Sequence, residues 1–329
     1  METVDRYLAR FEELRRKKRW STDTNILRFA ALALAANPIP DAAARLEAAS
    51  EELRALAGWF GKLNSPIRYV VAAMILRKGL RPGAVYDAVV EVQKEFRARG
   101  YRRGGVSEVL AALLLVLQSD GKPPKPVAVD RLGAVLARWK QDHPFLTGHD
   151  DYPMAALHAS RDDDVESVGV RVERIYRALR AKRFPMGNAL QLASHILALG
   201  TWDENGAAAR FEDMQRAFRD RGCRIGSGLY DEVALLALTA GAPVAIATRV
   251  LADVERLRSA KPRPAASIAF SIAAGLALSR EAERRADLAS PADAAALAAA
   301  KALLDAQTAA MAAMAGAVVA TSAATAASR

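Results

Sequence analysis

A chain of 329 residues with 52% apolar and 26% charged side chains is too apolar to be disordered and long enough to bury a large core, as two domains or one extended array. Its 47 basic residues exceed its 37 acidic ones, and the formal net charge of +10 favours an acidic partner without naming one. Ala and Leu dominate the apolar content, alternating Val/Ile/Thr segments are missing and Cys223 stands alone; a sheet protein, an internal disulfide and a thiolate zinc site are thereby excluded.

Residues 1–21, METVDRYLARFEELRRKKRWS, read as a charged capping helix. They lack the apolar stretch and cleavage site of a signal peptide, so a reducing, cytoplasmic setting is expected. From 22 to 285 a short apolar block built around small residues recurs. It appears as FAALAL (29–34), VAAMIL (71–76), LAALLL (110–115), MAALHA (154–159), LASHIL (192–197), VALLAL (233–238) and IAAGLA (272–277). The anchor positions are Ala31, Ala73, Ala112, Ala156, Ser194, Leu235 and Ala274. A period of roughly forty residues is what stacked helix pairs produce.

Each block is followed by a break and an amphipathic segment. The stripes are Leu46, Ala49, Leu53, Leu56 and Phe60; Val85, Val89, Val92 and Phe96; and Val165, Val168, Val172, Ile175 and Leu179. Steps of three and four put each stripe on one helix face. The first helix of each pair, apolar nearly all round, should be sandwiched, and the second should form a solvent-facing layer. Ser65-Pro66, Asp151-Tyr152-Pro153 and Asn188 stand where helices should be capped, and glycines 79, 100, 121, 187, 200, 222 and 241 stand where helices should stop. The expected fold is all-α: a right-handed α-solenoid of about seven stacked helix-pair repeats over 22–285. Residues 286–329 should add an Ala-rich C-terminal helix and tail. Within that tail, 306–328 carry no charge but are mostly Ala, Thr, Ser and Gly, so a helix and tail are expected rather than a membrane span.

No phosphate-binding loop, HExxH or nucleophile elbow is present, and GCRIGSG (222–228) follows a helix, as an inter-repeat turn would. No cofactor is implied. All four histidines, 143, 149, 158 and 195, fall in the third to fifth repeats. His158 and His195 take first-helix positions filled elsewhere by apolar or small residues, in adjacent repeats. Asp151 lies seven residues before His158; Asn188 and Gln191 lie seven and four before His195. Such spacings share a helix face. With His149 and Asp150 from the entering loop, these residues could form a pocket for a metal or polar ligand. The alternative is a satisfied polar network that tightens one repeat junction. Either way, His158 and His195 should approach each other, with Asp151 and Gln191 near one of them.

Basic residues gather where second helices end. They are Arg97, Arg99, Arg102 and Arg103; Arg138 and Lys140; Arg180, Lys182 and Arg183; Arg219, Arg221 and Arg224; then Arg256, Arg258, Lys261 and Arg263. Cations there complement the helix dipole and keep a surface soluble. The alternative is an edge for an acidic protein or nucleic acid, with Arg99, Arg102, Arg103, Arg180, Arg183, Arg219, Arg221 and Arg224 as its centre.

The segments RYVVAAMIL, GYRRGG, FLTGHDDYPMAALHA and MGNALQLASHILAL resemble successive blocks of a bacterial family designated domain of unknown function 4003. The resemblance runs from about residue 20 to 280 and includes the Ala-rich tail. It implies a cytosolic bacterial protein and assigns no activity or functional residue. The expected function is a non-enzymatic binding scaffold for a macromolecule. A protein is the foremost partner, nucleic acid is the second, and no membrane is involved. The alternative is a metal- or ligand-dependent enzyme built around His158 and His195.

Overall fold

The computed structural model describes residues 3–18, 23–35, 39–58, 65–239 and 241–285. They form fourteen α-helices and no strand, so the all-α expectation holds for them. Phe60 and the Ala-rich segment 286–329 lie outside the described residues. The described residues fall into two compact units, one ending at Pro126 and one beginning at Val127.

The first unit contains α1 (Thr3–Lys18), α2 (Thr24–Ala35), α3 (Ala42–Ala57), α4 (Arg68–Arg77), α5 (Pro82–Ala98) and α6 (Val106–Gln118). Here α2 packs on α4, α3 on α5, and α3 on α4. The second unit contains α7 (Pro126–Asp142), α8 (Tyr152–Ala159), α9 (Val165–Ala181), α10 (Asn188–Leu197), α11 (Glu204–Arg219), α12 (Tyr230–Ala237), α13 (Pro243–Ser259) and α14 (Ala266–Arg285). There α9 packs on α11 and α11 on α13, while α10 packs on α12 and α12 on α14.

All seven apolar blocks fall on even-numbered helices, α2 to α14, and these are buried on nearly every face. In α4 every residue from Tyr69 to Leu76 is buried, and in α6 every residue from Glu108 to Leu117. Odd-numbered helices bury one stripe: Val85, Val89, Val92 and Phe96 in α5, and Val168, Val172, Ile175 and Leu179 in α9. Val165, in the first turn of α9, is only half-buried. Leu56 departs from its stripe and is 42% exposed, because it sits in the last turn of α3.

A recurring polar device holds the second unit together. Arg131 of α7 donates to the carbonyls of Ala159, Arg161 and Asp163 in the turn after α8. Arg171 of α9 does the same to Ala198, Gly200 and Trp202 after α10. Arg210 of α11 repeats it on Ala237, Thr239 and Gly241 after α12. A helix end leaves carbonyls without intrahelical donors, and a planar guanidinium can serve several of them at once. In this unit α7, α9 and α11 thus each cap the even-numbered helix that follows in the chain.

Turn geometry follows the same register. Gly100 after α5 and Gly222 after α11 stand in the left-handed region, at φ 74° and 77°, four residues beyond the buried Phe96 and Phe218. Arg183 after α9 stands four residues beyond Leu179 and adopts φ 66° without being glycine. A Cβ there is strained by about 1 kcal/mol.

Candidate functional site

The two core histidines meet over a tryptophan. Trp139 closes the buried stripe of α7, His158 lies near the end of α8, and His195 lies in α10. They are 2%, 1% and 0% exposed. The His195 ring stacks on Trp139 with centroids 3.7 Å apart and planes 15° apart. His158 meets the same indole edge-on, at 5.4 Å and 90°.

One hydrogen bond explains His158. Its Nε2 lies 3.1 Å from the carbonyl oxygen of His195. A carbonyl only accepts, so Nε2 carries the proton and Nδ1 the lone pair. That oxygen needs an outside donor because α10 is ending: Ala198 N–H bonds to Ser194 O and Leu199 N–H to Ile196 O, which passes over His195 O. Arg161 Nη1 takes the Leu199 carbonyl at 3.1 Å, and Arg171 takes those of Ala198 and Gly200. The end of α10 is therefore capped by three side chains from the preceding helices and turns.

Burial dominates the electrostatics of both rings. It pushes His158 down to about 4, with the His195 carbonyl acting in the opposite sense and Arg161 adding to the depression. It holds His195 well below the usual imidazole range, helped by His158 and His143. Both rings are neutral at pH 7. His158 Nδ1, both ring nitrogens of His195 and Trp139 Nε1 are buried without a hydrogen-bond partner among the described residues.

The other pocket candidates are placed differently. Gln191 is buried, and its Nε2 donates to Thr147 Oγ1 at 3.1 Å. The Asp151 carboxylate accepts from Gly148 N–H at 2.8 Å and so caps the short 3-10 turn His149–Asp151. It makes no cap hydrogen bond to α8, contrary to the capping position its place before Tyr152-Pro153 suggests. Desolvation raises its carboxyl to about 6. His149 Nδ1 and Asp150 Oδ1 are 3.1 Å apart, both exposed. Asn188 is exposed as the first residue of α10; the cap position belongs to Gly187, whose φ of 137° makes the sharp entry. The structure thus joins His158 to His195 through Trp139, and Gln191 to Thr147. His143, outside the candidate set, pairs with Glu173 at 2.9 Å and packs on Tyr176. Among the described residues no group of three or more His, Cys, Asp or Glu could hold a metal ion.

The basic candidates divide by partner. In the first unit Arg99 pairs with Glu95, while Arg102 and Arg103 are exposed. In the second, Arg180 Nη1 donates to Phe184 O at 2.7 Å and Arg221 Nε to Thr248 Oγ1 at 2.7 Å. The side chains of Arg183 and Arg224 are exposed and make no hydrogen bond or ion pair among the described residues, and Arg219, five residues before Arg224, is exposed as well.

The residues that sequence reasoning missed are Trp139 and the arginine clamps. Arg131, Arg171, Arg210 and Arg249 recur at intervals of roughly forty residues, and that regularity was the available signal.

No helix among the described residues is long and apolar enough to cross a membrane, and the uncharged run 306–328 lies outside them. The chain is 27% identical over 200 residues to the uncharacterized protein YeaA of Bacillus subtilis (strain 168). That match covers 60% of this chain and about 60% of the length of the relative. No solved structure matches. A family model spans residues 10–309, nearly the whole chain, and the protein therefore belongs to the family described as protein of unknown function, DUF4003.

Proposed function

We propose that this chain is a non-enzymatic helical-repeat scaffold, a right-handed α-solenoid of about seven stacked helix pairs. Seven apolar blocks on alternate helices support that reading, as do three arginine clamps spaced one repeat apart. The scaffold acts in the cytoplasm and holds an acidic macromolecule, a protein surface foremost and nucleic acid second.

The carrying observation is the contrast between two classes of arginine in the second unit. Arg131, Arg171 and Arg210 are half-buried and committed to carbonyls. Arg183 and Arg224, in turns after odd helices, are exposed and uncommitted, and Arg183 occupies a backbone position that costs energy for any residue but glycine. Solubility alone does not call for a strained arginine. The rival reading, an enzyme centred on His158 and His195, has less support: both rings are sealed against Trp139.

The test is fluorescence anisotropy with labelled polyglutamate and labelled duplex DNA at low salt. Binding should weaken steeply as salt rises. It should be lost when Arg183, Arg219 and Arg224 are changed together to Glu, with an unchanged melting curve because all three are exposed. No binding of either polyanion at low salt would overturn the proposal.

A further inference from the structure

The second unit contains a cavity of about 290 Å³ where the series of arginine clamps breaks off. Carried forward by one repeat, the clamp of Arg210 on Ala237, Thr239 and Gly241 becomes Arg249 facing the carbonyls of Leu276, Leu278 and Arg280. The earlier even helices end at Ala159, Leu197 and Ala237, so their last carbonyls are free to be clamped. α14 does not end there. It continues to Arg285, and its own N–H groups consume the equivalent oxygens. The Arg249 side chain is left exposed, makes no hydrogen bond or ion pair among the described residues, and lines the cavity.

Two more guanidinium groups line the same space. Arg280 pairs with the buried Asp253 through Nη2 at 2.6 Å, while its Nη1 is buried without a partner. Arg284 makes a bidentate pair with Glu281, at 2.7 and 2.9 Å, which neutralises the one carboxylate on the lining. Ala245, Ile246 and Ala277 supply an apolar wall. The unpaired Arg249 guanidinium and the remaining donor Nη1 of Arg280, beside an apolar wall, match an anionic head on an apolar body, and the volume lies just below the usual range of small-molecule sites, about 300–1000 Å³.

We propose that this cavity binds a small organic anion, a carboxylate or phosphate monoester with a short apolar body, held by Arg249 and Arg280. In place of the carbonyl oxygens that Arg131, Arg171 and Arg210 grip, Arg249 grips the oxygens of a ligand. The site is independent of the basic turns at Arg183 and Arg224.

Isothermal titration calorimetry on the full chain tests it, with hexanoate and phenyl phosphate as the two anions and hexanamide as the uncharged control. At least one anion should bind saturably at millimolar concentration, the stronger one naming the head group, and hexanamide should not. Arg249→Met should weaken that binding about tenfold or more without moving the melting temperature, since one charge-assisted contact is removed from an exposed, unpaired side chain. The triple Glu variant of Arg183, Arg219 and Arg224 should bind the anion as the wild type does, so the two proposals fail separately. Absence of saturable binding by both anions, equal affinity in the Arg249→Met protein, or equal binding of hexanamide would each overturn the proposal.

Discussion

Replacing His158 by Leu probes the junction between α8 and α10 and separates a structural imidazole from a solvated one. At pH 7.5 the change strands the His195 carbonyl, which loses its 3.1 Å donor, and the cost should be about 1–3 kcal/mol. The pH dependence is more telling. Burial depresses the folded pKa of His158 from 6.5 to about 4, so between those values the unfolded chain binds more protons than the folded one. Stability is therefore lost as pH falls through this window. At 1.36 kcal/mol per unit, His158 should account for a loss of about 2 kcal/mol at pH 5 and about 3 kcal/mol by pH 4. His195 acts in the same direction. Asp151 and the buried Glu232 of α12, whose carboxyls are raised by burial in the fold, act in the opposite one, gaining stability as pH falls. These three are present in both proteins, so the comparison cancels most of what they contribute. Urea unfolding followed by circular dichroism at pH 7.5, 6 and 5 should show the wild-type advantage shrinking by about 2 kcal/mol at the lowest pH. Parallel stability curves would refute the reasoning, because they would mean that the ring protonates as easily folded as unfolded.

Two further outcomes follow from the arginines. Arg171→Met should cost about 2–3 kcal/mol in urea unfolding, and Arg171→Lys should recover little of it, because one ammonium cannot span the carbonyls of Ala198, Gly200 and Trp202; full rescue by Lys would refute the fork geometry. Arg183→Gly should leave stability unchanged or raise it by up to about 1 kcal/mol, since glycine adopts φ 66° freely, while weakening polyanion binding. A clear drop in melting temperature would show that the Arg183 side chain is structural.

Local residue pattern is enough to set the secondary structure class and the alternation of buried and half-buried helices. Helix burial is a local pattern: Val71–Leu76 and Leu110–Leu115 read as apolar on every face, and Val85, Val89, Val92 and Phe96 as one stripe, before any neighbour is known. The juxtaposition of His158 and His195 was also legible, because both interrupt apolar positions in adjacent blocks. What His158 does there was not, because its partner is a backbone carbonyl 37 residues away, exposed to capping only by where α10 ends. Trp139 was hidden for a related reason: an aromatic at the end of an amphipathic stripe looks like any core residue until one imidazole stacks on it and a second meets it edge-on. The arginines show the same division. Arg131, Arg171, Arg210 and Arg249 are four equivalent marks in the sequence. Only tertiary structure separates the three that grip a helix end from the fourth, because a guanidinium finds partners where a helix stops, and α14 runs past the place where its predecessors stop.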